Sequence, residues 1–203
     1  MQSPGPRVPH QPASRRPEIQ LGRLTAELAT VVASARRRAL RDGDRQIDTA
    51  HLLHSLIESD PEVGAAFEGG ADRGGAPQLA RVLGYLVQRS IGYGLRWRGS
   101  VEDSGALYVV RDESAAVAQI GGAAGAGAPG VAGAAAGWSP TAAAAMDGAW
   151  ERAALRGEPR ARGLDLLAVI AADPESRAVE VLRRAGVDPL VLTDRIGELS
   201  QQV

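Results

Sequence analysis

The feature that most constrains this chain is a pattern of helix signals that occurs twice, 114 residues apart (position 24 to position 138). Leu24-Thr25, an apolar residue followed by a helix N-cap, recurs as Trp138-Ser139. A constant offset across several kinds of signal indicates an internal duplication. The same offset relates small residues, a glycine that ends a helix and a pair of leucines: Ala35, Ala39, Gly43 and Leu52-Leu53 in the first copy, and Ala149, Ala153, Gly157 and Leu166-Leu167 in the second.

Each copy carries the periodic apolar residues of about four helices. In the first copy one helix follows Thr25 and a second begins near Asp48. Asp60-Pro61 ends the second and starts a third, and a fourth amphipathic segment covers roughly 77–89. The sequence therefore predicts an all-α fold, a tandem pseudo-twofold repeat of two four-helix units with about eight helices. Neither unit buries its apolar stripe well alone, so the two are expected to pack against each other.

The boundaries of the two units divide the chain into four parts. Residues 1–22 are rich in Pro, Arg and Gln and lack the apolar stretch of a signal peptide, so a disordered leader is expected there. Repeat 1 covers 23–91, an insertion covers 92–137, and repeat 2 covers 138–200. Because no apolar run approaches the roughly 20 residues of a membrane-spanning helix, the expected location is the cytoplasm, with no membrane partner.

The insertion between the repeats has two parts. β-favouring residues on both sides of a polar turn predict a small β-hairpin at 94–113, with EDSG at 102–105 as the turn. The second part, 121–137, is a low-complexity stretch of glycine and alanine that is expected to act as a mobile tether.

Two residue types are missing, and their absence excludes several kinds of chemistry. The 203 residues contain no cysteine, which excludes disulfides, thiolate nucleophiles and Cys-type metal sites. All 23 basic residues are arginine. Without lysine there is no Walker A phosphate site and no Schiff base. The net charge of −1 gives no reason to expect a nucleic acid partner.

The histidines of the second helix raise the question of a metal or catalytic site. His51, His54 and Glu58 have the helical spacing of three ligands. A zinc protease needs the motif HExxH, which is absent, and repeat 2 has Asp165 and Ala168 in place of the two histidines. The sequence therefore predicts a packed helix wall, with a structural His51 that bonds a neighbouring cap and a solvent-facing His54. No metal and no cofactor are expected and, since there is no G-x-S-x-G elbow, no enzymatic activity either.

The paired motifs resemble the Clp N-terminal (Clp R) repeat domain, which stands at the front of Clp-family AAA+ unfoldases. The resemblance extends over most of both repeats. It rests on four stretches: LT at 24–25, IDTAHLLHSL at 47–56, WSP at 138–140 and RRAGVDPLVL at 183–192.

This resemblance implies an all-helical domain that recruits proteins or adaptors to an unfoldase and binds certain macrocyclic peptide antibiotics. No AAA+ module accompanies it, so a stand-alone protein of some high-GC bacteria is expected. Such a protein would be non-catalytic. It would bind a hydrophobic peptide, a Clp adaptor or a macrocyclic peptide antibiotic between its repeats, as a decoy that protects the Clp unfoldase. The alternative is a regulatory accessory subunit that docks on a Clp protease complex.

The family's motifs also nominate site residues. Its apolar binding surface is formed by the opening residues and first helices of both repeats. Trp138 is expected to be partly exposed, whereas Trp150 is either a groove residue or part of the core between the halves. Where the family uses an acid to read phosphoarginine this chain has Ala50 and Leu164, so that recognition is expected to be lost. The ligand-binding candidates are Leu21, Val32, Arg36, Trp138, Asp147 and Trp150.

Overall fold

The computed structural model describes residues 21–68, 75–90, 102 and 137–201. In these ranges the chain forms eight α-helices, a 3₁₀ helix at Leu21–Arg23 and two short strands, which confirms the predicted all-α fold. None of these helices combines the length and apolarity needed to cross a membrane. The elements in chain order are α1 (Ala26–Asp42), β1 (Gln46–Ile47), α2 (Thr49–Ser59), α3 (Pro61–Glu68), α4 (Gly75–Ser90), β2 (Gly137–Trp138), α5 (Pro140–Leu155), α6 (Gly163–Ala172), α7 (Arg177–Arg184) and α8 (Pro189–Gln201).

The first helix of each repeat begins and ends with the same signals. The Thr25 side chain accepts a hydrogen bond from the amide of Leu28 at the start of α1, and Ser139 caps α5 in the same way. Gly43 and Gly157 follow these helices with φ of 73° and 75°. An L-residue with a side chain rarely adopts this backbone conformation, so glycine is the residue that lets the chain leave each helix.

The two repeats differ where the second helix ends. Asp60 follows α2, and α3 starts at once with Pro61. In repeat 2 the equivalent Asp173 follows α6, but α7 begins only after a new N-cap at Ser176. The Asp-Pro pair therefore ends the second helix in both copies, whereas it starts a helix in the first copy alone.

Two reciprocal backbone pairings join the repeats. Ile47 of β1 lies beside Trp138 of β2 in a parallel pair, and Leu24 forms a parallel bridge with Ala161. Each member of the first pair is the 114-offset equivalent of a member of the second, as a twofold axis requires. The predicted pseudo-twofold arrangement is thereby confirmed. We call the Leu24–Ala161 pairing the first junction and the Ile47–Trp138 pairing the second junction.

The core is shared between the repeats. Helices α2 and α6 contact each other at the centre; α2 also contacts α5 and α7 of repeat 2, and α6 contacts α1 and α3 of repeat 1. Residues 49–56 of α2 are buried without interruption, because neighbours from both repeats surround this helix. The apolar side chains of both copies form one continuous cluster. The two repeats therefore pack against each other through a shared core, as the sequence predicts.

Most of the insertion lies outside the described residues. Outside the described residues also lie positions 1–20 of the predicted leader 1–22, the predicted hairpin at 94–113 except Glu102, and the predicted tether up to 136. Leu21 and Gly22, the last two residues of the predicted leader, belong to the 3₁₀ helix. The two strands within the described ranges belong to the second junction and pair with each other in parallel.

Candidate binding surface at the two junctions

Trp150 lies at the first junction. It is on α5 of repeat 2, packs against the shared core and keeps part of its surface exposed. The guanidinium of Arg23, from repeat 1, lies over the indole with 5.3 Å between the guanidinium carbon and the ring centre. A cation–π contact of this kind contributes about 0.5–1 kcal/mol at an exposed site. Trp150 therefore has features of both sequence readings, since it is core on one side and surface on the other.

The indole nitrogen of Trp150 is a buried donor. Within the described ranges, Nε1 has no hydrogen-bond partner. Tryptophan N–H groups usually find an acceptor when they are buried, because an unmet donor there costs about 1–3 kcal/mol. The first junction thus combines an aromatic ring, a guanidinium cation and a hydrogen-bond donor that has no partner in the described ranges.

Trp138 lies at the second junction. Its backbone is held in β2 by the pairing with Ile47, and the neighbouring Ser139 amide donates to the Ile47 carbonyl at 2.9 Å. The side chain is partly exposed and rests against the core, which confirms the sequence prediction for this residue. Each junction therefore presents one half-buried tryptophan.

The other residues predicted to bind a ligand differ from one another in burial. Val32 is 9% exposed and belongs to the core, so it offers little surface to a ligand. The side chains of Arg36 and Asp147 are exposed and form no hydrogen bond or ion pair with other described residues. Leu21 lies in the 3₁₀ helix, and its side chain is outside the described set. Arg36 stands at the 114-offset position of Trp150, so the two first helices offer different chemistry at equivalent places.

His51 forms an ion network at the start of α2, as predicted for a histidine that bonds a cap. Its Nδ1 lies 2.8 Å from an oxygen of Asp48, the N-cap, and its Nε2 lies 3.2 Å from Asp44. Burial lowers the pKa of His51, but its bonds to Asp44 and Asp48 outweigh this effect and raise the pKa above its usual 6.5. Burial raises the pKa of Asp48, whereas His51 and Arg89 lower it, and the net result is a pKa well below the usual range.

Within the described residues, the same cluster is the one group of three side chains that could hold a metal ion. Oxygen and nitrogen atoms of Asp44, Asp48 and His51 lie within 4.8 Å of one another. Arg89 donates to both carboxylates, at 3.1 Å in the case of Asp44, and Arg177 donates to Asp48 at 2.7 Å. The protein's own cations already compensate these carboxylates and would repel a metal ion, so the cluster is better explained as a structural ion network.

The sequence prediction for the exposure of His54 is wrong. The sequence suggests a solvent-facing side chain, but His54 is only 4% exposed. Its Nδ1 lies 3.2 Å from Arg38 of α1 and its Nε2 lies 3.1 Å from Glu58. Because α1 covers this face of α2, burial together with the charge of Arg38 lowers the pKa of His54 to about 4.

One buried carboxylate has no counterpart in the sequence predictions. Glu102, from the insertion, is 4% exposed at the second junction. It accepts hydrogen bonds from the amide and hydroxyl of Thr49, from the hydroxyl of Ser139 and from the amide of Arg177. The sequence places Glu102 in a turn, and no local pattern marks it as buried, since its partners are 37 to 75 residues away.

No protein-family model matches this chain. No curated protein shows significant similarity to it either.

Proposed function

We propose that this protein is a non-catalytic binding protein that captures a hydrophobic peptide, a Clp adaptor or a macrocyclic peptide at the junctions of its two repeats. The observation that carries the proposal is Trp150, which combines a partly exposed indole ring, the Arg23 cation over that ring and an indole N–H without a partner in the described ranges. Peptides supply what these groups lack, namely apolar side chains and backbone carbonyl acceptors.

The surroundings of Trp150 fit this kind of ligand. Asp147 lies one helical turn away on α5 and is exposed, so a polar group borders the aromatic one. Binding sites commonly consist of a buried aromatic anchor within a polar rim. Trp138 adds a second aromatic anchor at the other junction.

The proposed mechanism is mass action. A domain that binds a Clp-directed peptide without unfolding any substrate lowers the free concentration of that peptide. A toxic macrocycle held at Trp150 would then be withheld from the unfoldase. This reading rests on the resemblance of the two repeats to the Clp N-terminal domain.

The test is a thermal-shift assay with a panel of Clp-directed macrocyclic peptides. Binding to the folded state raises Tm, and a tenfold increase of ligand above its Kd adds about 1.4 kcal/mol. Trp150→Phe keeps the aromatic ring but removes the indole donor, and Trp138→Ala removes the second anchor. Leu155→Ala is the control, because Leu155 is 87% exposed at the end of α5 and takes part in neither junction pairing.

Loss of the shift in both tryptophan variants, with the control unchanged, is the expected result. If no peptide in the panel changes Tm, the decoy function is rejected. If the shift survives in both tryptophan variants, the ligand binds elsewhere and the assignment to the junctions is wrong.

An accessory subunit of a Clp protease complex is the second candidate. Leu190 and Val191 at the start of α8 are 74% and 53% exposed, which is unusual for neighbouring aliphatic residues and suits a protein contact. A pull-down with purified Clp unfoldase separates the two functions. Retention that depends on Leu190 and not on Trp150 favours the subunit.

A further inference from the structure

The Glu102 carboxylate is bound in the way a ligand is bound. One carboxylate oxygen accepts from the Thr49 hydroxyl and from the Arg177 amide, the latter at 2.8 Å. The other oxygen accepts from the Thr49 amide at 2.8 Å and from the Ser139 hydroxyl at 2.9 Å. Each oxygen thus has two donors, and all four donors come from residues far from Glu102 in sequence. We infer that the second junction contains a carboxylate-binding site, occupied by Glu102, that accepts a free short-chain carboxylate when this side chain is removed.

The donors of this site can face only an acceptor. The Thr49 hydroxyl oxygen accepts from the amide of Ala178 at 3.1 Å, so its one hydrogen points to Glu102. The Ser139 hydroxyl oxygen likewise accepts from the amide of Ala142 at 3.0 Å. A hydroxyl has a single hydrogen, and both hydrogens are therefore directed into the site. A cation or a carboxamide NH₂ would meet donors, whereas a carboxylate meets four matched bonds.

The electrostatic setting also favours an anion. Thr49 is the first residue of α2, Arg177 is the first residue of α7, and Ser139 caps α5. Three helix N-termini, drawn from both repeats, therefore converge on one carboxylate, and each N-terminus carries partial positive charge. Thr49 and Ser139 are fully buried, so without an anion their donors would lose both water and partner.

At the first junction, the equivalent place is occupied by a carboxylate that is part of a helix boundary. There Gly163 stands in the position of Thr49, and the carboxylate of Asp60 lies against it. Asp60 accepts from the amides of Glu62 and Val63, two and three residues away. Asp60, between the end of α2 and the start of α3, thus fills the first junction, whereas the second is filled by a residue of the insertion. Only the second can be emptied without rebuilding a helix end.

A small cavity beside the site gives a free ligand room for an alkyl group. It has a volume of about 90 Å³, and Thr49 lines it together with Ala145, Val169 and Ile170. Thr141, Ser176 and Asp173 also line it. The side of Ala145, Val169 and Ile170 suits an alkyl group, so a carboxylate with one or two extra carbons fits better than formate. Each methylene that enters the cavity should improve affinity roughly fourfold.

The experiment compares Glu102→Ala with the unaltered protein in increasing acetate and propionate. Acetamide, which is neutral, and chloride at matched ionic strength serve as reference solutes. Glu198→Ala, which removes an exposed carboxylate on α8, is the control variant. For Glu102→Ala, Tm should rise roughly 3–6 °C for each tenfold increase of acetate above its Kd, and propionate should act at lower concentration. The unaltered protein and the control should respond to none of these solutes.

Several outcomes overturn the inference. An equal response of Glu102→Ala to acetamide or chloride, or no response to acetate, would mean that Glu102 is a structural residue without a separable site. If the variant does not fold in plain buffer, recovery of folded protein in acetate but not in acetamide supports the site, and recovery in neither rejects it. Glu102→Gln gives a further check, because its NH₂ would face two donors. It should be less stable than the unaltered protein despite its equal size, and acetate should not restore it.

Discussion

His51 and Asp165 occupy equivalent positions in the two repeats, and each lies buried at the centre of an ion network. His51 is held by Asp44 and Asp48, whereas Asp165 accepts two hydrogen bonds from Arg156, at 2.5 and 2.7 Å. Arg156 is itself the 114-offset equivalent of Asp42. Each repeat therefore fixes the start of its second helix with an ion network. The pairs His51/Asp165 and Asp42/Arg156 differ in charge, whereas Asp44 and its equivalent Glu158 are both acidic.

The Asp165 network yields a prediction on stability. Asp165→Asn removes the buried carboxylate that accepts from Arg156, while Glu158 still pairs with Arg156, and should lower the free energy of unfolding by about 1–3 kcal/mol. Glu158→Gln removes the more exposed partner of Arg156 and should cost less than about 1 kcal/mol. Urea denaturation of both variants measures the difference, and equal costs would contradict this account.

His51 should stabilise the protein on the acidic side of its titration. Its pKa is raised above 6.5, so the stabilisation is fully present below pH 6.5 and is lost as pH rises through the raised value. The stability difference between the unaltered protein and His51→Gln should therefore shrink with rising pH. Urea denaturation between about pH 6 and about pH 9 measures it. A difference that grows with pH would indicate a neutral imidazole at this site.

His54 should act in the opposite direction. Because its pKa is lowered to about 4, its contribution is present above pH 6.5 and is lost as pH falls towards 4. His54→Gln should therefore lose less stability than the unaltered protein between these two values. The two histidines lie on one helix, so the His51 and His54 variants serve as controls for each other. Parallel curves for the His54 variant and the unaltered protein would show that His54 does not titrate in this range.

The glycine that ends α5 should resist substitution. Gly157 has a φ of 75°, and alanine in that conformation should cost about 1–2 kcal/mol. Gly197 lies inside α8 with open space where a Cβ would be, so Gly197→Ala should be neutral or stabilise by up to about 1 kcal/mol. Thermal unfolding of the two variants gives the comparison, and a neutral Gly157→Ala would contradict the assigned turn.

Phosphoarginine should not bind. Ala50 and Leu164, which stand where the resembled family has its acid, are both buried and carry no carboxylate for a guanidinium. Calorimetry with free phosphoarginine should give no measurable heat, and binding in the micromolar range would contradict this prediction.

Local signals made much of the fold predictable from sequence. Thr25, Ser139, Gly43 and Gly157 act within a few residues of their own position, so their roles as caps and stops are legible in the chain. The difference in charge between Asp42 and Arg156 is legible too, once Asp42 is set beside its 114-offset equivalent. Such features depend on short spacings and on one constant offset.

Other features depend on contacts between distant segments. The burial of His54 arises because α1 packs over it, and spacing along α2 carries no information about that. Glu102 is bound by residues of both repeats, up to 75 positions away. The sequence predicts Trp138 and Trp150 as binding residues because they are large aromatics. It carries no information about the position of Arg23 over the Trp150 ring.

The reciprocal pairing of Leu24 with Ala161 and of Ile47 with Trp138 has a consequence for how such a chain can arise. A single copy already contains both segments that form these pairings. Two identical copies could therefore pair as a symmetric dimer. Once gene fusion ties the copies together, neither is obliged to mirror the other. The two halves can then change separately. The pairs His51/Asp165 and Asp42/Arg156 differ in charge, and Glu102 of the insertion is bound at one junction by residues of both repeats.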